Sequence, residues 1–402
     1  MSDLIQVFVR DHNRQVVGMT TRWSSVTISA RRNDLWTWTV TMTDPADAAL
    51  MMPPTDAAGK VTHKRGVVLR RIQPDGSAVT IMSGWQSKFP DVSSDGATTT
   101  WTFTGYDDTS HLLVLLWPIP TAPITSQTDT HDRRTGPISN RLRDYFIGNV
   151  SNRLGVNGAA GGNQVNLGAT GVSQARFADF LPFAQELTAR SVNFQVRQRD
   201  TDSLLFLYQW APVDRRATVR FSPALGTVQG WSSNSTPCTA NIAIVGAGGE
   251  GVLRRFRRYA DAASIQAWGP REVFVDRRDL NPDEDEDWEL QAEVAGLEAI
   301  EQGAARSSFT LETEFGGGGI APTPFVDFWP GDRVLAYADA DEAQQPIGPV
   351  TDDLVEQVDT TYSEAGESGT VRVGSVPDDV DNAMARQIRN LGRRIHGLET
   401  RR

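Results

Sequence analysis

From Trp36 to Thr43 the chain reads Trp-Thr-Trp-Thr-Val-Thr-Met-Thr, a large apolar residue at every second position. Successive side chains of a strand point to opposite faces, so this pattern describes a strand buried on one face and wet on the other. A helix could not bury it, because at 3.6 residues per turn the four apolar side chains would scatter around the axis. The surroundings repeat the signature. Ile5, Val7 and Val9 alternate with Gln6 and Phe8, and residues 66–72, 79–85 and 98–106 continue the pattern. Pro74-Asp75-Gly76 is turn chemistry between two of these runs and predicts a hairpin. Residues 1–120 therefore predict an antiparallel barrel or sandwich, interrupted by a polar, alanine-rich excursion over residues 45–60.

Beyond residue 120 the period changes. The Pro- and Thr-rich stretch 117–137 reads as a linker. Residues 139–154 predict a helix whose face carries Leu142, Tyr145, Phe146, Asn149 and Val150, with Gly155 ending it. A Gly- and Asn-rich loop follows over 156–171. A second helix is predicted over 173–190, with Phe177, Phe180, Leu181, Ala184 and Leu187 facing a core and Pro182 imposing a kink. Strands resume around Phe194, around Tyr208, at 241–245 and within 265–276. An acidic run, Asp283 to Asp287, precedes a helix with Leu290, Val294, Leu297, Ile300 and Ala304 as its apolar face. Negative charge there complements the helix dipole, so the run reads as a capping and solubility device. Strands at 308–315, 333–337, 350–362 and 370–373 complete a second, smaller β-unit.

At the C-terminal end, Met384, Ile388, Leu391, Ile395 and Leu398 are spaced four, three, four and three. That is a heptad seam, with Ile388 and Ile395 at a and the other three at d, and arginines on the remaining faces. It predicts a helix that associates with other copies, and these five residues are the candidate oligomer interface. Ile at a with Leu at d leans towards two strands, and the seam does not fix the oligomer number.

Catalytic patterns are weak throughout. Gly246-Ala-Gly248-Gly-Glu-Gly251 after the apolar run 241–245 matches the dinucleotide fingerprint, but the β-rich surroundings and the Arg254, Arg255, Arg257, Arg258 cluster that follows favour a glycine turn between strands. The arginines are candidates for pairing with acidic groups at a subunit contact. The five histidines form no metal-ligand motif, and Cys238, the lone cysteine, reads as a small packed residue and fits a reducing compartment. Asp107 and Asp108 are a possible carboxylate pair at a strand end. Trp23, Trp85, Trp231 and Trp329 would serve a receptor- or carbohydrate-binding module if exposed, whereas tryptophan in alternating strands is more often core. No residue qualifies as catalytic, and no cofactor or metal is expected. The net charge of −11 argues against general nucleic-acid binding. The N-terminus lacks the basic segment and apolar run of a signal peptide, and the longest apolar run, 112–117, falls far short of the ~20 residues of a membrane span.

One stretch carries a family resemblance. Asn241-Ile-Ala-Ile-Val-Gly246-Ala-Gly248-Gly-Glu-Gly251 is followed by Arg254, Asp261 and Ser264, then by Gly269-Pro-Arg-Glu-Val-Phe-Val-Asp276-Arg-Arg-Asp279, and further on by Pro330-Gly331-Asp332-Arg-Val334. This resembles the tail-tip hub, or minor tail, proteins of actinobacterial siphophages, which are similar to the contractile-phage baseplate hub. The resemblance implies a β-rich α+β chain: a tail-tube-like antiparallel β-barrel at 1–120, an α+β insert at 121–239, a second tube-like barrel with one helix at 240–375, and a coiled-coil-like helix at 376–402. It implies a structural, non-enzymatic homotrimer that forms part of the DNA ejection channel. Its partners would be the distal tail protein, the C-terminus of the tape-measure protein, and a central fibre or tip protein. Passing DNA would not be bound specifically, and the acidic composition suggests a channel wall that repels it. Assembly in the host cytoplasm and residence in the virion tail follow. The alternatives are a tail-borne receptor- or carbohydrate-binding module and, behind it, a tail-associated cell-wall hydrolase.

Overall fold

The structure, a computed structural model, describes residues 4–156, 166–188, 191–200, 202–249, 251–278, 280–283, 287–315, 321–340 and 346–374. The chain forms two units, Met1–Ser232 with Thr310–Val373, and Ser233–Phe309 with Gly374.

The first unit begins with eight strands: β1 (Ile5–Arg10), β2 (Val16–Thr20), β3 (Trp23–Arg31), β4 (Thr37–Met42), β5 (Gly66–Ile72), β6 (Ala78–Gln86), β7 (Asp91–Ser94) and β8 (Thr99–Asp107). The alternating run 36–43 supplies β4, which lies between β3 and β8. Trp38, Val40 and Met42 are buried as the pattern requires. Gly105 of β8 sits opposite Trp38, and a Cβ there would come within 2.5 Å of the indole, so the glycine makes room for the ring. Burying one such side chain is worth about 4–6 kcal/mol, at ~25 cal/mol over ~150–250 Å². The predicted hairpin is present as β5–β6, its turn closed by Gly76 with φ +82°. The excursion after β4 contains a short helix, α1 (Pro45–Met51), which Asp44 caps by accepting from the N–H groups of Ala46 and Asp47.

The insert comprises β9 (Leu115–Leu116), β10 (Asp132–Pro137), α2 (Ile138–Phe146), β11 (Thr170–Ala175), β12 (Ala178–Asp179), α3 (Phe180–Thr188), β13 (Asn193–Gln198), β14 (Leu205–Trp210) and β15 (Arg220–Phe221). The face predicted for α2 is correct: Leu142, Tyr145 and Phe146, with Asn149 and Val150 in the π-helical turn that continues it, are all buried. Three expectations fail here. Residues 132–137 are a strand paired with β11 rather than linker. The second helix starts only at Phe180, which puts Pro182 in its first turn, where a missing N–H costs no hydrogen bond and no kink results. Phe177, expected in the core, is instead exposed at φ +50°.

β16 (Gly230–Thr236) and β20 (Arg306–Phe315) carry the chain between the two units. The second unit holds β17 (Ile242–Gly246), β18 (Phe256–Ala260), α4 (Ala262–Trp268), β19 (Glu272–Asp276) and α5 (Trp288–Gly303). The chain ends in β21 (Arg333–Ala340), β22 (Pro346–Ser363) and β23 (Gly366–Val373).

The expectation of two closed barrels is corrected. β22, from the expected second barrel, pairs along β3 of the first, from Gln357↔Arg31 to Ser363↔Ser25. The strands join one large sheet ordered β16-β20-β23-β22-β3-β4-β8-β6-β5-β1-β2, and no closed barrel forms among the described residues. Period two defines the two faces of a strand but not its neighbours, so the pattern could not reveal this pairing. The sheet nonetheless curls over. β5 and β23 are six ladder steps apart, about 29 Å in a flat sheet at ~4.8 Å per step. Yet Arg71 of β5 donates to both carboxylate oxygens of Glu367 at 2.7 Å and to the Tyr362 hydroxyl at 2.8 Å. The heptad residues Met384, Ile388, Leu391, Ile395 and Leu398 lie outside the described residues.

Candidate functional site

The polar groups that could suggest chemistry turn out to brace the fold. Asp108 is fully buried and accepts from Arg10 Nη2 at 2.6 Å and Nη1 at 2.9 Å, and from Ser83 Oγ at 2.5 Å. Arg10 also donates to Gln198 Oε1 at 2.8 Å and lies 4.2 Å over the Trp85 ring. One ion pair thus ties β1, β6, the turn after β8, and β13. Burial pushes the Asp108 carboxyl up, but the Arg10 guanidinium outweighs it and holds the group below the usual carboxylate range. Its neighbour Asp107 is also fully buried, and burial drives its carboxyl well above that range. Asp107 accepts from the Trp36 N–H at 3.1 Å and the Thr109 hydroxyl at 2.7 Å. Both carboxylates of the candidate pair are sealed from solvent and engaged internally. Cys238 is buried with its sulfur 3.4 Å from Ser264 Oγ. No group of three or more His, Cys, Asp or Glu side chains converges as metal ligands among the described residues. A 480 Å³ surface cleft beside Arg22, Trp23 and Glu364 gathers no catalytic set.

Three of the four candidate binding tryptophans are packed. Trp23 is buried, Trp85 lies under Arg10, and Trp329 packs against Phe325 and Trp36. Only Trp231 is exposed, at 41%.

The glycine motif lies in the connection between the antiparallel strands β17 and β18, where the described residues form only a three-residue 3-10 turn, Gly251–Leu253, in place of the α-helix that receives a pyrophosphate. Its interior is filled by the chain itself. Arg254 donates to the Gly246 and Ala247 carbonyls at 3.0 Å and to Asp276 at 2.5 Å. The Ala247 and Gly248 N–H groups are spent on the Arg255 and Leu280 carbonyls. A Cβ at Gly248 would stand 2.7 Å from the Leu280 carbonyl, which explains the glycine. The other motif positions are structural too. Asp261 caps α4 by accepting from the Ser264 N–H, and Asn241 bridges the Gly269 carbonyl and the Arg271 N–H. Three members of the arginine cluster, a candidate for pairing at a subunit contact, have acidic partners within their own unit: Arg254 with Asp276, Arg255 with Asp283, and Arg257 with Glu289 while lying over Trp288. Acidic residues distant in sequence supply the partners, so local spacing could not show this.

What the second unit presents outward is apolar. Its sheet, ordered β18-β17-β19, buries Val245, Tyr259 and Val275 against α5. The opposite face carries Phe256 and Phe274, about half exposed, and the turn after the glycine motif projects Val252, fully exposed, and Leu253. The helix meets its predicted apolar face only in part: Ile300 is buried and Ala304 half-buried, as expected, but the three larger residues before them are not. Its buried side carries Trp288 and Ile300 together with the small residues Ala292, Ala295, Gly296 and Gly303, and a Cβ at Gly296 would reach within 2.3 Å of the Tyr259 ring. Leu290, Val294 and Leu297, predicted as its apolar core face, are 53%, 46% and 52% exposed. Close helix–sheet approach at Gly296 needs small residues on that part of the helix, while Trp288 and Ile300 pack inside towards either end. Exposed apolar side chains gathered in this way are characteristic of interaction surfaces.

The fold is shared with phage tail proteins. A prophage MuSo2 43 kDa tail protein from Shewanella oneidensis superposes with a TM-score of 0.53 at 12% identity, covering 92% of this chain and 98% of that one. Prophage tail protein gp18 from Listeria monocytogenes gives 0.50 at 10% identity, covering 96% and 99%. The E. coli c3393 protein, a type VI secretion component described as similar to T4 tail proteins gp27 and gp5, gives 0.41 at 7% identity over 92% and 77%, too low to support an argument. No curated protein matches the sequence. The model of the Siphovirus ReqiPepy6 Gp37-like family matches residues 5–375, and the chain belongs to that family of siphophage tail proteins. Among the described residues no helix is long and apolar enough to cross a membrane.

Proposed function

We propose that this chain is the structural hub of a phage tail tip, acting by assembly rather than catalysis. The observation that carries the reading is the tail-protein fold matched along almost the whole chain, from residue 5 to residue 375 in the family model. In this reading three copies form a ring that adapts the tail tube and distal tail protein to a central fibre or tip protein. The ring lines part of the ejection channel and meets the end of the tape-measure protein. The exposed apolar face of the second unit becomes buried between subunits, since closed symmetric oligomers are the common outcome for such surfaces. The heptad seam of Met384, Ile388, Leu391, Ile395 and Leu398 contributes to self-association. The division at residues 120, 239 and 375 is carried forward as the layout of the assembled hub. Assembly takes place in the host cytoplasm, and the protein then resides in the virion.

The test is the mass of the purified chain by light scattering, with and without residues 380–402. A trimer supports the hub, and its loss on truncation assigns the seam its role. A monomer in both forms, together with binding to host envelope fragments, would overturn the hub in favour of a receptor-binding module.

A further inference from the structure

α5 presents Leu290, Val294 and Leu297 to solvent, spaced four and three, with no described element over them. The helix carries four glutamates and no basic residue. The C-terminal segment is its complement in pattern and charge. Its seam repeats the same four-three spacing, and residues 384–402 hold six arginines against one glutamate. The chain also delivers that segment to the right place. Gly374 packs on the backbone of Ser307, where an added Cβ would be 2.2 Å from the carbonyl oxygen, and Ser307 lies four residues beyond the last residue of α5, Gly303. Residues 375–383 then span about 30 Å when extended, at ~3.3–3.6 Å per residue. α5 is 16 residues long, about 24 Å at a 1.5 Å rise per residue.

We propose that the C-terminal segment 384–398 docks as an amphipathic helix along the Leu290–Val294–Leu297 row of α5 in its own chain. Entry beside the C-terminal end of α5 makes the two helices antiparallel. That direction carries Arg393, Arg394, Arg401 and Arg402 towards the N-terminal end of α5, where Asp287 lies beside Glu289, itself already paired with Arg257. Matched four-three rows let the apolar side chains of each helix fill the gaps of the other. The inference concerns what covers α5 in the unassembled chain, before the subunit contacts of the hub reading form. The same seam cannot line α5 and a bundle of several copies at once, so the two states compete.

Two measurements on the full chain test it. Leu290, the α5 site, is exposed, so cysteine there leaves the core intact, and Cys238 is buried. Leu290→Cys with Ile395→Cys should close an intrachain disulfide on mild oxidation, seen as a faster-running single chain on a non-reducing gel. Leu290→Cys with Met384→Cys, the parallel arrangement, should not. In the unsubstituted chain, hydrogen exchange of residues 288–303 should quicken at least tenfold when residues 380–402 are removed. Disulfides only between chains would place the seam in trans and overturn the proposal, as would α5 exchange that is unchanged by truncation. Neither result would alter the oligomer mass by which the hub reading is judged.

Discussion

Replacing Asp108 with alanine should be among the most damaging single changes in the first unit. The carboxylate is fully buried and takes two hydrogen bonds from Arg10 and one from Ser83. Its removal leaves the Arg10 guanidinium with only Gln198 Oε1 and the Trp85 ring. Stranding one partner of a buried pair costs about 3–5 kcal/mol. The unit has about 300 residues, so at ~2.1 cal/mol/K per residue the unfolding entropy is about 0.6 kcal/mol/K, and Tm should fall by about 5–8 °C. Scanning calorimetry of the purified chain reads this directly. The reasoning makes a second, opposed demand: Arg10→Met with Asp108→Leu should recover most of the loss, because no uncompensated charge then remains. A fall of under 1 °C for Asp108→Ala, or a double variant as unstable as the single one, would refute the account.

Asp107→Asn should instead be mild at neutral pH. The folded-state pKa of Asp107 is raised, so its contribution is full below the ordinary carboxylate range and is lost as pH rises through the elevated value; the asparagine variant should show a flatter decline in Tm over that rise. Asp108 has the opposite sign, with stability present above the ordinary range and lost only as pH falls through its depressed value, so acid unfolding of the native chain should depend on it. Gly296→Leu should force α5 off Tyr259 and cost about 1–3 kcal/mol, read as faster proteolysis within residues 233–309 while the first unit keeps its protection. Arg254→Ala should remove the hydrogen bonds to the Gly246 and Ala247 carbonyls and the Asp276 carboxylate, and raise hydrogen exchange across the 246–254 turn at least tenfold.

The sequence by itself determined the strands and their faces. Alternation at 36–43 placed Trp38, Val40 and Met42 inside, the Pro74-Asp75-Gly76 turn marked the β5–β6 hairpin, and the apolar stripe of α2 was correct residue by residue. Each is a local property, set by side-chain period and backbone preference. The context of the glycine motif likewise pointed to a turn, and the motif residues 241–276 carried the family. Tertiary structure alone decided the partners. Whether β22 joins β3 or closes a separate barrel depends on contacts more than 300 positions apart, which periodicity does not encode. The same limit hid the acidic partners of the Arg254–Arg257 group and the side on which α5 is buried. The four-three spacing of Leu290, Val294 and Leu297 suggested a core face, but the close approach of α5 to Tyr259 requires a glycine at 296 and places Trp288, Ala292 and Ile300 inside instead. The apolar residues that the fold leaves outside are what the rest of the tail, or the chain's own C-terminal segment, has to cover.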